Sequence, residues 1–279
     1  ATQANVATLR SRGITVLEPA TGRLTGKDSG PGRMLEPQQI AALARTVGST
    51  GTIARSLEGK RVLISAGGTQ ENIDPVRYIG NRSSGRQGFA LAEIAAQRGA
   101  EVTVVAGDTD CLPVPAGADI VRVRSAREME AEIFARDSQA DLIIMAAAVA
   151  DFRPESEATS KLKKGRADDA LSSLHLVENP DILRGVVHRR HANETEAVIV
   201  GFAAETENAL EFGRAKLQRK GADMLMVNSV SGGRVFGESR NSGWIVGADG
   251  TEVEVRDGSK YQVAVAILDA AEAYQRARC

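Results

Sequence analysis

Four stretches of the chain hold residue types able to manage a densely charged anion. Gly67 and Gly68 follow RVLISA, and Ser83, Ser84, Gly85 and Gly88 open an amphipathic segment. Small residues at a helix start leave backbone N–H groups bare for phosphate, although a glycine turn with a serine cap has the same pattern. AAAVADF, residues 146 to 152, closes a second apolar run in alanines and Asp151. Alanines let a flat group lie close to the backbone, and the carboxylate can accept from a hydroxyl or amine, hold a metal-bound water, or cap a helix. KLKK, from Lys161 to Lys164, could close over a polyphosphate and offset the charge that develops when it is attacked, or face water as lysine clusters usually do. The fourth comprises ENPDIL, with Pro180, Asp181, Ile182 and Leu183, then GFAAET with Phe202, then Lys216 and Lys220. NPD reads as a capped helix start, Phe202 as a stacking surface, and the lysine pair as one helix face that grips phosphate or meets solvent.

The segment GGTQENIDPVRYIGNRSSGRQG, from Gly67 to Gly88, raises a further point. It is about twenty residues of turn-forming, charged and amide side chains where a strand-to-helix connection needs roughly two to six. A connection of that length is more often functional than ornamental.

These stretches need a scaffold. From residue 60 onward, short apolar runs rich in branched residues recur: Arg61 to Ala66, Glu101 to Gly107, Asp141 to Ala148, Glu196 to Phe202 and Asp223 to Asn228. They read as buried parallel strands. Helical segments alternate with them at Arg86 to Arg98, Ala126 to Arg136, Ile182 to Arg190 and Glu205 to Lys220, with Gly99 and Gly221 as stop signals. After a long polar loop, the D-G turn within GWIVGADGTEVEVR marks a hairpin, and a helix from Lys260 to Arg276 closes the chain. The expected fold is α/β, a Rossmann-like, doubly wound, mostly parallel sheet with an antiparallel hairpin addition near the C-terminus. Ligands bind beyond the carboxyl ends of such strands, where all four stretches fall, so a nucleoside triphosphate site is the economical reading. Residues 1–57 stand outside the alternation. They hold expected helices at Ala4 to Arg12 and near Pro37 to Val47 and a small strand at Thr15 to Glu18, with too few apolar residues for a core of their own.

The 279 residues carry a formal net charge of −1, so any anion site is local and a nucleic-acid surface is not indicated. Two cysteines without C-x-x-C spacing suit a cytoplasmic protein, and no apolar run approaches the ~18 residues of a membrane span. His188 and His191, one helical turn apart, lack a third ligand and read as solvated helix residues. Metal ligands are not specified by any spacing.

GGTQENIDPVRYIGNRSSGRQG, AAAVADF, KLKK, NPDIL and GFAAET occur in this order, and as a set they resemble the phosphopantothenoylcysteine synthetase half of the bacterial bifunctional coenzyme A biosynthesis proteins. The resemblance covers residues 58–279. PATGRLTGKDSGPGRMLEPQQI is similar to the end of the preceding decarboxylase half, so residues 1–57 are expected to be that end plus a linker. Gly26 stands where many relatives carry a catalytic cysteine, and FMN is not expected in this chain. The family implies a cytoplasmic ligase that joins 4′-phosphopantothenate to L-cysteine, with CTP as co-substrate and Mg²⁺, through an acyl-cytidylate. It also implies a homodimer in which part of the lysine loop reaches the partner subunit, and a higher assembly with the decarboxylase half in the full-length protein. Neither nucleic acid nor membrane is an expected partner. The nucleotide positions that match are Gly67, Gly68, Ser84, Gly85, Met145, Ala146, Ala147, Asp151, Lys161, Pro180, Asp181, Ile182, Leu183, Phe202, Lys216 and Lys220. Lys161 matches the lysine associated with forming the intermediate, and Asn81 the asparagine associated with turning it into product. Arg77 and Lys163 join Asn81 as expected substrate contacts. The preference for CTP is carried by the motif set alone.

Two other readings compete. A short-chain NAD(P)-dependent reductase would share the glycine-rich first turn, but none of Tyr78, Tyr261 or Tyr274 has a lysine four residues later. A nucleotide-binding module without turnover would give Lys161 and Asn81 no particular purpose.

Overall fold

The computed structural model describes residues 1–163, 173–205, 208–229 and 240–278. In chain order these form α1 (Thr2–Ser11), β1 (Ala20–Arg23), β2 (Ser29–Arg33), α2 (Pro37–Thr50), β3 (Arg61–Ala66), β4 (Gln70–Asn72), β5 (Tyr78–Gly80) and α3 (Arg86–Gln97). There follow β6 (Glu101–Ala106), β7 (Asp119–Arg122), α4 (Ala126–Phe134), β8 (Leu142–Met145), β9 (Phe152–Pro154), β10 (Leu176–Glu178) and α5 (Ile182–Ala192). The chain ends with β11 (Val198–Glu205), α6 (Ala209–Lys220), β12 (Met224–Ser229), β13 (Arg240–Gly247), β14 (Glu252–Ser259) and α7 (Lys260–Arg278).

Eight of the described strands make one sheet in the order β7-β6-β3-β8-β11-β12-β13-β14. The first six run parallel and the last two are antiparallel, joined at the expected D-G turn. The parallel part has the doubly wound order in which the chain reverses direction between β3 and β8, and the ends of those two strands are where a ligand belongs. Alternate residues of each central strand serve opposite faces. Val62, Ile64, Leu142 and Ile144 pack under α3 and α7, while Leu63, Ile143 and Met145 pack under α4, α5 and α6. The sheet is thus buried on both sides, which is why its strands read as continuous apolar runs. No helix among the described residues is long and apolar enough to cross a membrane.

The expected fold class is borne out, with local differences. Thr15 to Glu18 form no strand; the Glu18 amide donates instead to the Gln97 side chain at 2.7 Å, and the hairpin β1–β2 lies further on, in the glycine-rich stretch. Leu35, Leu43 and Leu57 join the main core, so residues 1–57 share it rather than building one. Glu205 belongs to β11, not to the helix expected to begin there, because α6 starts only at Ala209. Lys164 and most of the polar loop before β13 lie outside the described residues.

Candidate active site

A cleft of about 1000 Å³ opens at the carboxyl ends of β3, β8, β11 and β12. β8 pairs with β11 only as far as Gly201 opposite Met145, and β11 runs on beside β12. Phe202, Ala203 and Ala204 therefore project past the end of β8 and form one wall. Phe202 was expected at a strand end; it sits instead within β11, at the point where a neighbour is missing on one side.

The long connection after β3 folds back on itself as the hairpin β4–β5 and then crosses to α3. Its glycines serve close packing. A side chain on Gly67, whose φ is +78°, would come within 2.4 Å of the Asp108 carbonyl oxygen, and one on Gly68 within 2.6 Å of that of Asn81. Neither residue lines the cleft, so both support the site rather than face it. Thr69 ties the hairpin to the strand-end loop of β8, its hydroxyl accepting from the Ala150 amide at 2.9 Å. Past the hairpin, the Asn81 side chain donates to the Val149 carbonyl at 2.9 Å. Gly85 is the N-cap of α3 with left-handed backbone, and a side chain there would strike Thr109. Ser84, Gly85 and the first turn of α3 line the cleft, where helix N–H groups and the helix dipole favour an anion.

The run from Met145 to Phe152 forms a further wall. Its backbone is clamped from below: the amides of Ala146 and Ala147 donate to the Ser65 carbonyl and hydroxyl oxygens, each at 3.2 Å, and that of Ala148 to the Gly67 carbonyl at 2.8 Å. The result is a fixed wall of small side chains with the exposed Asp151 at its edge. Pro180, Asp181, Ile182 and Leu183 close the far side. Asp181 caps α5 by accepting from the Arg184 amide at 3.2 Å, and it also pairs with Lys220 from α6. Lys216, one turn earlier, lines the same surface.

Lys161 and Lys163 are exposed in the loop between β9 and β10 and are not part of the cleft lining. Arg77 lies outside it as well. Its guanidinium donates to the Asp74 carboxylate, at 3.0 Å from Nε, and to the Leu162 carbonyl at 2.7 Å. Burial would raise the Asp74 carboxyl, but hydrogen bonds from the Arg77 side chain and from the amides of Val76, Leu162 and Arg77 outweigh it and hold the group well below the usual carboxylate range.

Several lining residues had no sequence signal. Lys260, only 9% exposed, opens α7, and Gln87 on α3 donates to its carbonyl at 3.1 Å. The other Gln87 side-chain atom, Oε1, is a buried acceptor with no partner among the described residues, which suits a ligand that brings a donor. Asn241, 4% exposed, donates to Asn228 at 2.8 Å at the end of β12. Asn228 could have been found by inspecting every strand end; Asn241 and Lys260 arrive from the antiparallel addition and from α7.

A glycine-braced helix start, a wall of small side chains and the lysines of α6 thus line one cleft. Residues 57–274 match the DNA/pantothenate metabolism flavoprotein C-terminal domain family. The chain belongs to this family. It is 50% identical over 277 residues to the coenzyme A biosynthesis bifunctional protein CoaBC of Mycobacterium bovis, a match covering 97% of this chain and 66% of that protein. The chain thus spans about two thirds of the length of such relatives. Among solved structures it resembles the C-terminal domain of a CoaBC protein, with 34% identity and a TM-score of 0.66 over 79% of this chain and 97% of that one. A Cab2 variant in complex with phosphopantothenate-cysteine shares the fold, at 19% identity and a TM-score of 0.60 over 87% of this chain and 96% of that one. The family expected from the motifs is therefore borne out.

Proposed function

We propose that the chain is the phosphopantothenate–cysteine ligase unit of coenzyme A biosynthesis and that its nucleotide is CTP. The observation that carries this reading is the convergence in one cleft of the α3 N-terminus, the wall from Met145 to Phe152, Phe202, Lys216 and Lys220. In the proposed reaction a carboxylate oxygen of 4′-phosphopantothenate attacks the α-phosphorus of CTP and pyrophosphate leaves. The cysteine amine then attacks the acyl carbon, loses a proton, and displaces CMP to form the amide. A free carboxylate is a poor acyl donor, whereas the mixed anhydride has a good leaving group.

The α3 amides and the two α6 lysines stabilise phosphate oxygens, and Phe202 with the alanine wall provides a slot for the base. Lys161 offsets charge as pyrophosphate departs, and Asn81 is aimed at the acyl oxygen during amine attack. Among the described residues no three His, Cys, Asp or Glu side chains cluster to hold a metal by themselves. That suits Mg²⁺ carried mainly by phosphates, with Asp151 as the carboxylate at hand, and when bound it neutralises phosphate charge. Residues 1–57 are read as the end of a decarboxylase half, since the relatives align across them while the family match begins at residue 57. A cytoplasmic homodimer completes the reading.

The test is pyrophosphate release from CTP with Mg²⁺ and 4′-phosphopantothenate, with and without cysteine, and with ATP and NADPH as parallel arms. Release that requires 4′-phosphopantothenate, followed by CMP and an amide once cysteine is added, is the expected result. Equal or better turnover with ATP would overturn the nucleotide assignment. Absence of release with every nucleotide would leave a binding module, and NADPH oxidation would favour a reductase.

A further inference from the structure

The loop that carries Lys161 and Lys163 is held against the β4–β5 hairpin by three hydrogen bonds that converge on one turn. The Ala158 amide donates to the Ile73 carbonyl at 3.0 Å. The Leu162 amide donates to Asp74 Oδ2 at 3.2 Å, and Arg77 Nη2 donates to the Leu162 carbonyl at 2.7 Å. The turn is also closed by bonds of its own. Asp74 Oδ1 accepts from the amides of Val76 and Arg77 at 2.8 and 2.9 Å, the self-bonded arrangement that an Asp-Pro start favours. The Asp74 side chain is completely shielded, so each of its bonds is made away from competing water.

We propose that Asp74 is a positioning residue for the ligase: with Arg77 it pins Leu162 by both its amide and its carbonyl, and so sets where Lys161 meets the nucleotide. Fixing the peptide groups on both sides of Leu162 orients the chain at 161 and 163, leaving Leu162 partly covered and both lysines outward. The same connection places Asn81 four residues beyond Arg77 and locks it to Val149. One hydrogen-bonded segment therefore carries the amide expected to act on the acyl group and anchors the loop expected to act on the phosphate. This inference rests on the ligase reading.

The test uses the full chain, with Asp74→Asn, Arg77→Lys and Lys161→Ala variants and the Asp74→Asn/Lys161→Ala double variant. Amide hydrogen exchange at Leu162 reports the latch without reference to activity, and steady-state pyrophosphate release reports its consequence. Expected are faster exchange at Leu162 in Asp74→Asn, a fall in kcat on the order of tenfold or more with KM for CTP changed less than about threefold, and a smaller effect of the same sign in Arg77→Lys. The double variant should be little worse than Lys161→Ala alone, since an unpinned lysine has already lost its contribution. Unchanged exchange at Leu162 in both single variants would overturn the latch. Fully additive losses in the double variant would overturn the positioning role. A wild-type chain that releases no pyrophosphate would defeat the ligase reading and the positioning role with it, while the exchange data would still decide whether Asp74 holds the loop.

Discussion

The Asn81 side-chain nitrogen lies 2.9 Å from the Val149 carbonyl oxygen, so the residue expected to act on the acyl group is braced by the loop that follows β8. A carboxamide nitrogen carries two donors. Using one on Val149 fixes the direction of the other. Asn81→Ala is expected to lower amide formation on the order of a hundredfold, the usual cost of one donor to a developing oxyanion. Pyrophosphate release in the first turnover should fall much less. Asn81→Asp should behave similarly, because a carboxylate has no donor for either oxygen and repels the Val149 carbonyl. Quenched-flow measurement of pyrophosphate against amide product checks both; equal losses in the two steps would count against a role confined to the second.

Lys220 and Asp181 make an ion pair that joins the end of α6 to the start of α5. Lys220→Met is expected to raise the KM for CTP roughly tenfold or more, the worth of a charge-assisted hydrogen bond, with a smaller change in kcat. Asp181→Ala also removes the α5 cap, at a cost of about 1 kcal/mol and a Tm lower by roughly 2–4 °C. Calorimetry of the two variants separates these effects, since only the second should melt appreciably earlier.

Gly88 sets how closely α3 approaches β3. A side chain there would meet the Ala66 Cβ at 2.5 Å and its Cα at 3.2 Å, and Ala66 is wholly buried. Gly88→Ala is therefore expected to push the helix start outward and to cost about 1–3 kcal/mol, despite alanine's better helix propensity. Weaker triphosphate binding should accompany the lower Tm. A stable variant with unchanged nucleotide affinity would show that the helix start is not fixed by this contact.

The sheet was legible because burial on both faces leaves uninterrupted apolar runs, and β3 has the bounds that its sequence suggests. The cleft was legible where its residues end those runs or directly follow them, as with Met145 to Asp151 and Phe202. β7 was not, since DIVR is short, partly exposed and bounded by charges. The hairpins β4–β5 and β9–β10 have three-residue strands whose pairing depends on tertiary support. Asp74 reads locally as a turn residue; its contact with Leu162, far along the chain, is a property of the fold. Lys260 begins a helix whose sequence gives no hint that it ends against the cleft.

Glu93 connects the residues before 57 to the rest of the fold. Its carboxylate, buried within α3, accepts from Gln39 of α2 at 2.7 Å, from Gln97 at 3.0 Å and from the Ala116 amide at 3.2 Å. Burial raises its pKa, and these three donors offset that only in part. A carboxyl whose folded pKa lies above the unfolded one binds its proton more tightly when folded. Its contribution to stability is full below the ordinary value of 4.5 and is lost as the pH rises from there through the raised folded value. Glu93→Gln has no such proton, and the remaining carboxylates titrate in both proteins. The stability of the wild type relative to Glu93→Gln is thus expected to increase as the pH is lowered from 8 toward 4.5, read as the difference in Tm between the two. A difference independent of pH would mean that Glu93 has the same proton affinity folded and unfolded, and that the three donors fully offset its burial.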